Sequence, residues 1–129
     1  MQLIHDYYAA FNAKNVDAML ALLTDDVIHD TNQGERSSGK AVFVKFMGEM
    51  NQFYDENLVD IVVMTNSDQT RAAAEFICNG KYLSTAPGLP EAKGQTYSLP
   101  VGCFFEIKGG KIARVTNYYN MTDWLNQVR

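Results

Sequence analysis

Cysteine, histidine and tryptophan are scarce in this chain, which has two, two and one of them among its 129 residues. Cys78 and Cys103 lie far apart, without CxxC spacing and without a histidine cluster nearby. This pattern argues against a disulfide framework and against a zinc site. Both cysteines fall within strand-like patterns, so we expect buried free thiols.

Long apolar runs and an excess of positive charge are also missing. No stretch approaches the about 18 apolar residues of a membrane span. A His-Asp pair interrupts the first eleven residues, where a signal peptide needs an apolar core. The 11 basic and 15 acidic residues give a net charge of −4, and the basic ones form no stripe. We therefore expect a cytoplasmic protein that binds neither membranes nor nucleic acid.

The N-terminal part of the chain carries helical periodicity. Apolar residues at intervals of three and four predict a helix over residues 2–13. Asn15 or Asp17 can cap a second, short helix that runs to Leu23. The segment Val27–Thr31 then predicts a short strand, and the polar residues 32–38 predict a loop.

A third helix and a set of long strands follow. Ser37 or Ser38 can cap a helix over about Lys40–Tyr54. From Leu58 the period changes from 3.6 to 2, which predicts four antiparallel strands, Leu58–Thr65, Thr70–Ser84, Gln95–Lys108 and Lys111–Asn120. Pro100 falls inside the third of these and predicts a bulge or an edge there. A short helix, Met121–Val128, ends the pattern.

This order of elements predicts one α+β domain spanning residues 1–129. Three N-terminal helices on one side of a strongly curved antiparallel sheet enclose a cone, and a cone too wide to fill with side chains becomes a ligand cavity. The opposite face of the sheet must be solvated or buried in a dimer.

Polar side chains interrupt the apolar faces of the last two strands. Tyr97 and Cys103 alternate with aliphatic and aromatic neighbours on one strand, and Asn117 and Tyr119 do so on the next. Because alternate residues of a strand share a face, this pattern is typical of a lined pocket. Asn117 can donate hydrogen bonds to a ligand, or it can satisfy a backbone group in the core.

These residues resemble the nuclear-transport-factor-2-like fold, and within it the branch of ketosteroid isomerases and SnoaL-like polyketide cyclases. The resemblance covers nearly the whole chain and rests on NVDAMLALLTDDV, EFICNGKY and GCFFEIKGGKIARVTNYY. It implies a single SnoaL-like domain with the cystatin-like cone shape and an apolar pocket. It also implies homodimers through the open sheet face and no metal or organic cofactor.

The resemblance carries functional positions onto particular residues. The oxyanion-hole tyrosine of the isomerase falls on Tyr7. Its general-base aspartate falls on Thr31, or on Asp30 if the strand is one residue shorter. Its protonated aspartate falls on Cys103, a far weaker hydrogen-bond donor, and its pocket tryptophan falls on Tyr119.

The implied chemistry is proton transfer next to a carbonyl, which needs a base near the carbon and donors near the oxygen. Asp30 is the candidate base and Tyr7 the candidate donor. His29 is the alternative base, because histidine titrates near neutral pH. A one-residue slip of the strand decides which of the two faces the pocket. Two histidines without matching carboxylates predict no metal site.

The predicted substrate-binding residues lie on helix or strand faces turned toward the cone: Phe11, Met50, Tyr54, Tyr97, Cys103, Phe105, Asn117 and Tyr119. The predicted function is a small, cofactor-independent isomerase, cyclase or dehydratase that acts on a hydrophobic molecule with an enolisable carbonyl. Two alternatives stay open on this fold. One is a non-catalytic protein that binds a hydrophobic small molecule. The other is a dimeric interaction domain, in which Phe46, Met50, Phe105 and Tyr119 would fill the cone.

Overall fold

The computed structural model describes the whole chain, Met1–Arg129. In chain order its elements are α1 (Gln2–Asn12), α2 (Val16–Ala21), β1 (Leu23–Asp30), β2 (Arg36–Ser38), α3 (Lys40–Phe53), β3 (Tyr54–Thr65), β4 (Arg71–Tyr82), β5 (Thr96–Lys108), β6 (Lys111–Tyr119) and α4 (Met121–Val128). The six strands form one curved sheet in the order β2-β1-β6-β5-β4-β3, and the helices pack on it. The predicted α+β class is confirmed. By length and hydropathy, no helix qualifies as a candidate membrane span.

The sheet is antiparallel except at one junction. β1 runs parallel to β6, with His29 opposite Val115, and all other neighbouring strands are antiparallel. The four long strands are antiparallel as predicted, and the parallel pairing of β1, which the sequence pattern does not predict, joins them to the rest of the sheet. β1 also begins at Leu23, earlier than predicted. The Leu22 carbonyl accepts a hydrogen bond from the Ile112 amide at 2.9 Å, so the chain joins the sheet instead of extending α2.

The predicted loop over residues 32–38 contains the short strand β2. Ser37 pairs with His29 and Ser38 with Ile28, so neither serine caps α3. Gly39 takes the cap position instead, with a φ of 96° and no side-chain hydrogen bond. This is a backbone conformation that favours glycine. For α2, the structure selects Asn15 of the two predicted caps, because its Oδ1 accepts from the Ala18 amide at 3.0 Å, and Asp17 lies in the first turn.

β3 starts at Tyr54, four residues before the predicted strand, and is bent by a bulge between Val59 and Val62. Asp60 adopts a φ of 55° within this bulge. A bulge of this kind increases the local twist and curvature of a strand. Just before it, the Asn12 side chain bonds both backbone groups of Leu58, at 2.9 and 2.8 Å, and so ties the end of α1 to the sheet.

Pro100 lies in register opposite Ile77 of β4, and β6 ends one residue away, where Tyr119 pairs with Val101. Pro100 therefore stands where β5 has a neighbour on one side only, in agreement with the edge alternative. The bulge of β5 is farther along, between Glu106 and Ile107.

The core lies between the concave face of the sheet and the helices. Its largest fully buried side chains come from the helices and from four of the strands: Ile4, Met19, Leu23, Val27, Phe43, Tyr82, Cys103, Phe105, Ile112, Val115 and Val128. Burying each large apolar side chain contributes about 1.5–3 kcal/mol to stability. Cys78 and Cys103 are buried free thiols, as predicted.

Candidate active site

A cavity of about 290 Å³ lies between the sheet and helices α1, α3 and α4. Tyr7, Met50 and Trp124 line it from the three helices, and Leu89 lines it from the loop between β4 and β5. Of its 22 lining residues, 17 are hydrophobic, so a bound ligand would meet mainly apolar walls. The polar groups that interrupt these walls include two clusters, one around His29 and one around Glu56.

β1 turns the side chain of His29 into the cavity. Only 3% of this residue is exposed. Its ring packs against the rings of Phe43 and Phe46, at centroid distances of 5.2 and 4.6 Å. Burial lowers the pKa of His29, and the charge of Asp30 opposes this effect in part. The imidazole is therefore neutral at neutral pH, the form that accepts a proton.

Asn117 joins His29 to Cys103. The Cys103 thiol donates to Asn117 Oδ1 at 2.7 Å, and burial raises the pKa of Cys103 to about 12, which keeps it a thiol. The amide nitrogen of Asn117 consequently faces His29 Nε2, at 3.4 Å. Because an amide NH₂ only donates, we assign Nε2 as the acceptor and Nδ1 as the protonated nitrogen of His29.

Two adjacent tyrosines of α1 add hydroxyl groups near this cluster. Tyr7 and Tyr8 both line the cavity, and their rings meet edge to face at 5.3 Å. Burial raises the pKa of both phenols, so both stay neutral and can donate. The Tyr8 hydroxyl lies beside the Cys103 thiol but outside hydrogen-bonding geometry, and it has no partner in the protein.

Glu56 forms the second polar cluster, together with Tyr97. The Tyr97 hydroxyl donates to Glu56 Oε2 at 2.6 Å. The Tyr97 ring passes directly over Gly80, where an added Cβ would lie only 2.2 Å from Tyr97 Cζ. Gly80 therefore makes room for the ring that holds the carboxylate. His29 and Glu56 line the same cavity but come from strands far apart in the sheet, since β1 lies near one edge and β3 forms the other.

Glu56 was not predicted as a site residue, because the predicted strand began at Leu58. A signal for it was present in the sequence. Tyr54, Glu56 and Leu58 alternate, and all three line the cavity once the strand starts at Tyr54. A carboxylate between two inward-facing apolar residues is the pattern that identifies it.

Asp30 requires a correction, because it does not line the cavity. Its carboxylate lies on the outer face of the sheet, where Arg36 donates to both oxygens at 2.8 and 3.0 Å and the Thr116 hydroxyl donates at 2.7 Å. The hydrogen bonds from Arg36 are the main reason why the pKa of Asp30 is lowered. Strand alternation thus selects His29 of the two candidate bases. Thr31, the other carried-over position, lines the cavity but has no basic group.

Two of the predicted substrate-binding residues also do not line the cavity. Cys103 and Phe105 are each 1% exposed and lie behind its wall. The rings of Tyr7 and Tyr8 cover Phe105, at centroid distances of 6.0 and 6.1 Å. The cavity does bring together the other predicted residues: Tyr7, Phe11, His29, Met50, Tyr54, Tyr97, Asn117 and Tyr119. Phe46, Met50 and Tyr119 line the cone and leave it open.

Comparison with solved structures identifies the class of fold. An NTF2-like protein from Burkholderia xenovorans LB400 superposes with a TM-score of 0.78 at 12% sequence identity, covering 99% of this chain and 94% of that one. At this identity the likeness shows the fold alone, which is NTF2-like.

The family follows from the sequence itself. The profile of the SnoaL-like domain matches residues 4–115, and the chain belongs to that family. A "putative polyketide cyclase" from Pseudomonas putida KT2440 is 62% identical, with a TM-score of 0.97 over 98% of this chain and 96% of that one. A protein of the same description from Xanthomonas campestris pv. campestris is 52% identical, with a TM-score of 0.97 over 99% and 95%. No curated protein matches the chain.

Proposed function

We propose that this protein is a cofactor-independent enzyme that moves a proton next to the carbonyl of a hydrophobic small molecule, and so isomerises, cyclises or dehydrates it. One observation carries the proposal: a neutral, buried histidine faces an apolar cavity among hydroxyl and amide donors. His29 replaces Asp30 as the base. The family membership supports a reaction of this type but does not name the substrate.

In this mechanism His29 Nε2 accepts the proton from the carbon next to the carbonyl. The electron pair of the broken C–H bond moves into the carbonyl group, and the oxygen becomes an enolate. The Tyr7 hydroxyl and the Asn117 amide donate hydrogen bonds to this oxygen as its charge develops. The contact between Asn117 and Nε2 is long, at 3.4 Å, so an entering ligand displaces only a weak bond.

The enolate can react in two ways, and each gives a different product. Return of the proton from Nε2 to another carbon of the ligand gives an isomer. Attack of the enolate carbon on a second carbonyl of the same molecule closes a ring, and Nε2 returns its proton to the new alkoxide. If Nε2 then removes a second proton next to the first carbonyl, the hydroxyl leaves as hydroxide and takes that proton from Nε2, which gives an alkene and water. The mainly hydrophobic lining of the cavity lowers the local polarity, which strengthens the interaction between the charged imidazolium and the enolate.

A deuterium-exchange assay with 2-tetralone tests the proposal. This apolar ketone has exchangeable protons, and the phenol 2-naphthol resembles its enolate. We expect the protein to accelerate exchange in deuterated buffer and 2-naphthol to inhibit it. Binding of 2-naphthol without any exchange would contradict the enzyme proposal and favour a non-catalytic binding protein. Failure of both ligands to bind, in a panel extended to steroids and polyketide-like aromatics, would favour an interaction domain.

We also propose that the outer face of the sheet binds a second copy of the chain. Met64, Phe104 and Tyr118 expose 50%, 47% and 57% of their surface there. In the sheet register, Met64 and Phe104 both lie opposite Ala73, on its two sides, so their side chains form one apolar row. Glu106 beside this row is paired with two arginines of the same chain, so its charge does not oppose self-association.

A further inference from the structure

The carboxylate of Glu56 is the one formally charged side chain among the residues that line the cavity. Every ion pair of the protein lies elsewhere, and the lining contains neither lysine nor arginine. The Tyr97 hydroxyl occupies only one of the two carboxylate oxygens. A carboxylate in such a site is stabilised when a ligand brings a cation or a strong donor to it.

Aromatic rings surround the same end of the cavity. Tyr54, Tyr97 and Trp124 all line it, and the ring of Trp124 meets the other two edge to face at 6.0 and 5.9 Å. Aromatic faces attract cations within about 6 Å through their quadrupole. A carboxylate next to several aromatic rings therefore provides both of the interactions that proteins use to bind alkylammonium groups.

We propose that Glu56 and these rings form an ammonium subsite, so that the ligand of the cavity is a hydrophobic amine. The cation would lie between Glu56 Oε1 and the rings of Tyr54 and Trp124. Anionic ligands are disfavoured at this end, because no lysine or arginine lines the cavity and Glu56 repels them. This inference rests on the proposed function in one respect, namely that the same cavity is the substrate site. Combined with the His29 cluster in the same cavity, it specifies an amino ketone as the substrate class.

Isothermal titration calorimetry with two matched probes tests the subsite. The probes are 4-phenylbutylammonium and 4-phenylbutan-1-ol, which share the apolar part and differ in charge. For the wild-type protein at pH 7, we expect the ammonium to bind at least about tenfold more tightly than the alcohol, the scale of one charge-assisted hydrogen bond. In Glu56→Gln, this preference should disappear while the affinity for the alcohol stays the same.

Two control variants distinguish the charge of Glu56 from its hydrogen bond with Tyr97 and from the proposed reaction. Tyr97→Phe keeps the carboxylate but removes its hydrogen bond, so the ammonium preference should persist. His29→Gln should also keep the preference, whether or not the protein catalyses deuterium exchange. Equal binding of the two probes by the wild-type protein would overturn the subsite, as would a preference that survives in folded Glu56→Gln. Loss of exchange in Glu56→Gln without any ammonium preference would overturn it too, and would make the carboxylate a group for proton transfer.

Discussion

His29 and Asp30 are neighbours in β1, yet their side chains lie on opposite faces of the sheet. The surroundings of His29 are apolar, whereas those of Asp30 are positively charged. His29 is buried between two phenylalanine rings, and its pKa is lowered by that burial. Asp30 is held on the outer face by two hydrogen bonds from Arg36. One backbone step thus separates a neutral imidazole inside the cavity from an ion-paired carboxylate outside it.

This relationship predicts different effects for two adjacent substitutions. His29→Gln should lower the rate of 2-tetralone exchange by about 100-fold or more, the usual contribution of a general base. Asp30→Asn should leave the rate nearly unchanged, since the carboxylate does not face the ligand. Circular dichroism would verify that both variants are folded. A large loss of exchange in Asp30→Asn alone would contradict the assignment of His29.

The pH dependence should follow the lowered pKa of His29. Exchange should decline on the acid side with a midpoint below 6.5, the ordinary value for histidine. An acid-side midpoint of this kind would come from the imidazole of His29.

The stability of the protein should also depend on the protonation of His29. Below pH 6.5 the unfolded chain takes up a proton that the folded protein resists, so the free energy of unfolding falls as the pH is lowered. Urea titrations between about pH 7 and 5 should show this slope in the wild type and a smaller slope in His29→Gln. A pH profile of exchange with its acid-side midpoint above 6.5 would contradict the lowered pKa of His29.

Gly80 should be intolerant of even one methyl group. The Cβ of Gly80→Ala would lie within 2.5 Å of three atoms of the Tyr97 ring and hydroxyl. The ring must then shift away from Glu56, and overpacking of this kind costs about 1–3 kcal/mol. Gly48→Ala in α3 is the control, because a Cβ there meets no atom within 4 Å, and alanine should stabilise the helix by about 0.5–1 kcal/mol. Urea unfolding measures both changes, and equal stability of the two variants would refute the prediction.

Tyr82 should determine the order of the loop that carries Leu89. Its hydroxyl donates to the Pro90 carbonyl at 2.7 Å and accepts from the Ala86 amide at 2.9 Å. Tyr82→Phe leaves a buried amide without a partner, which costs about 1–3 kcal/mol. Hydrogen exchange at Ala86 should accelerate by about tenfold or more. Tyr118→Phe, on the exposed outer face of the sheet, should leave hydrogen exchange at Ala86 unchanged. Unchanged protection of Ala86 would show that other contacts hold the loop.

The proposed homodimer predicts that Phe104→Glu produces a monomer. The new carboxylate would lie within the apolar row, next to Tyr118, where burial without a partner is unfavourable. Val44→Glu is the matched control, because Val44 is 42% exposed on α3, away from the sheet. Light scattering coupled to size-exclusion chromatography would measure the mass of each variant. A wild-type protein that is monomeric at every concentration would remove the proposal.

Periodicity in the sequence is sufficient to predict the helices and strands that bury one apolar face and expose the other. The sequence predicts helix α3 and strands β4 and β5 in this way, because each buries mainly one apolar face. β2 was not found, since Arg36-Ser37-Ser38 contains no apolar alternation and is a strand only because β1 lies beside it. Periodicity also does not predict the parallel pairing of β1 with β6, because this pairing depends on residues far apart in the chain.

The sequence predicts which face of a helix or strand is turned toward the cavity. It does not predict which residues on that face line the cavity and which are covered by another element. Tyr7, Tyr97, Asn117 and Tyr119 lie on faces that the periodicity identified, and they line the cavity. Phe105 lies on the same face as Tyr97, but the tyrosine rings of α1 cover it. Sequence periodicity contains no information on which inward residue another element will cover. It likewise left open the one-residue register that separates His29 from Asp30.

The junction between β1 and β6 has a consequence for the order in which the protein acquires its structure. Asn117 and His29 are 88 residues apart in sequence and meet only across this junction. Contacts of such high sequence separation carry the largest loop-closure entropy and are typically formed late in folding. A nascent or partly folded chain can therefore hold helices and hairpins without possessing the proposed catalytic centre, and until β6 arrives one edge of β1 is open to association with other chains.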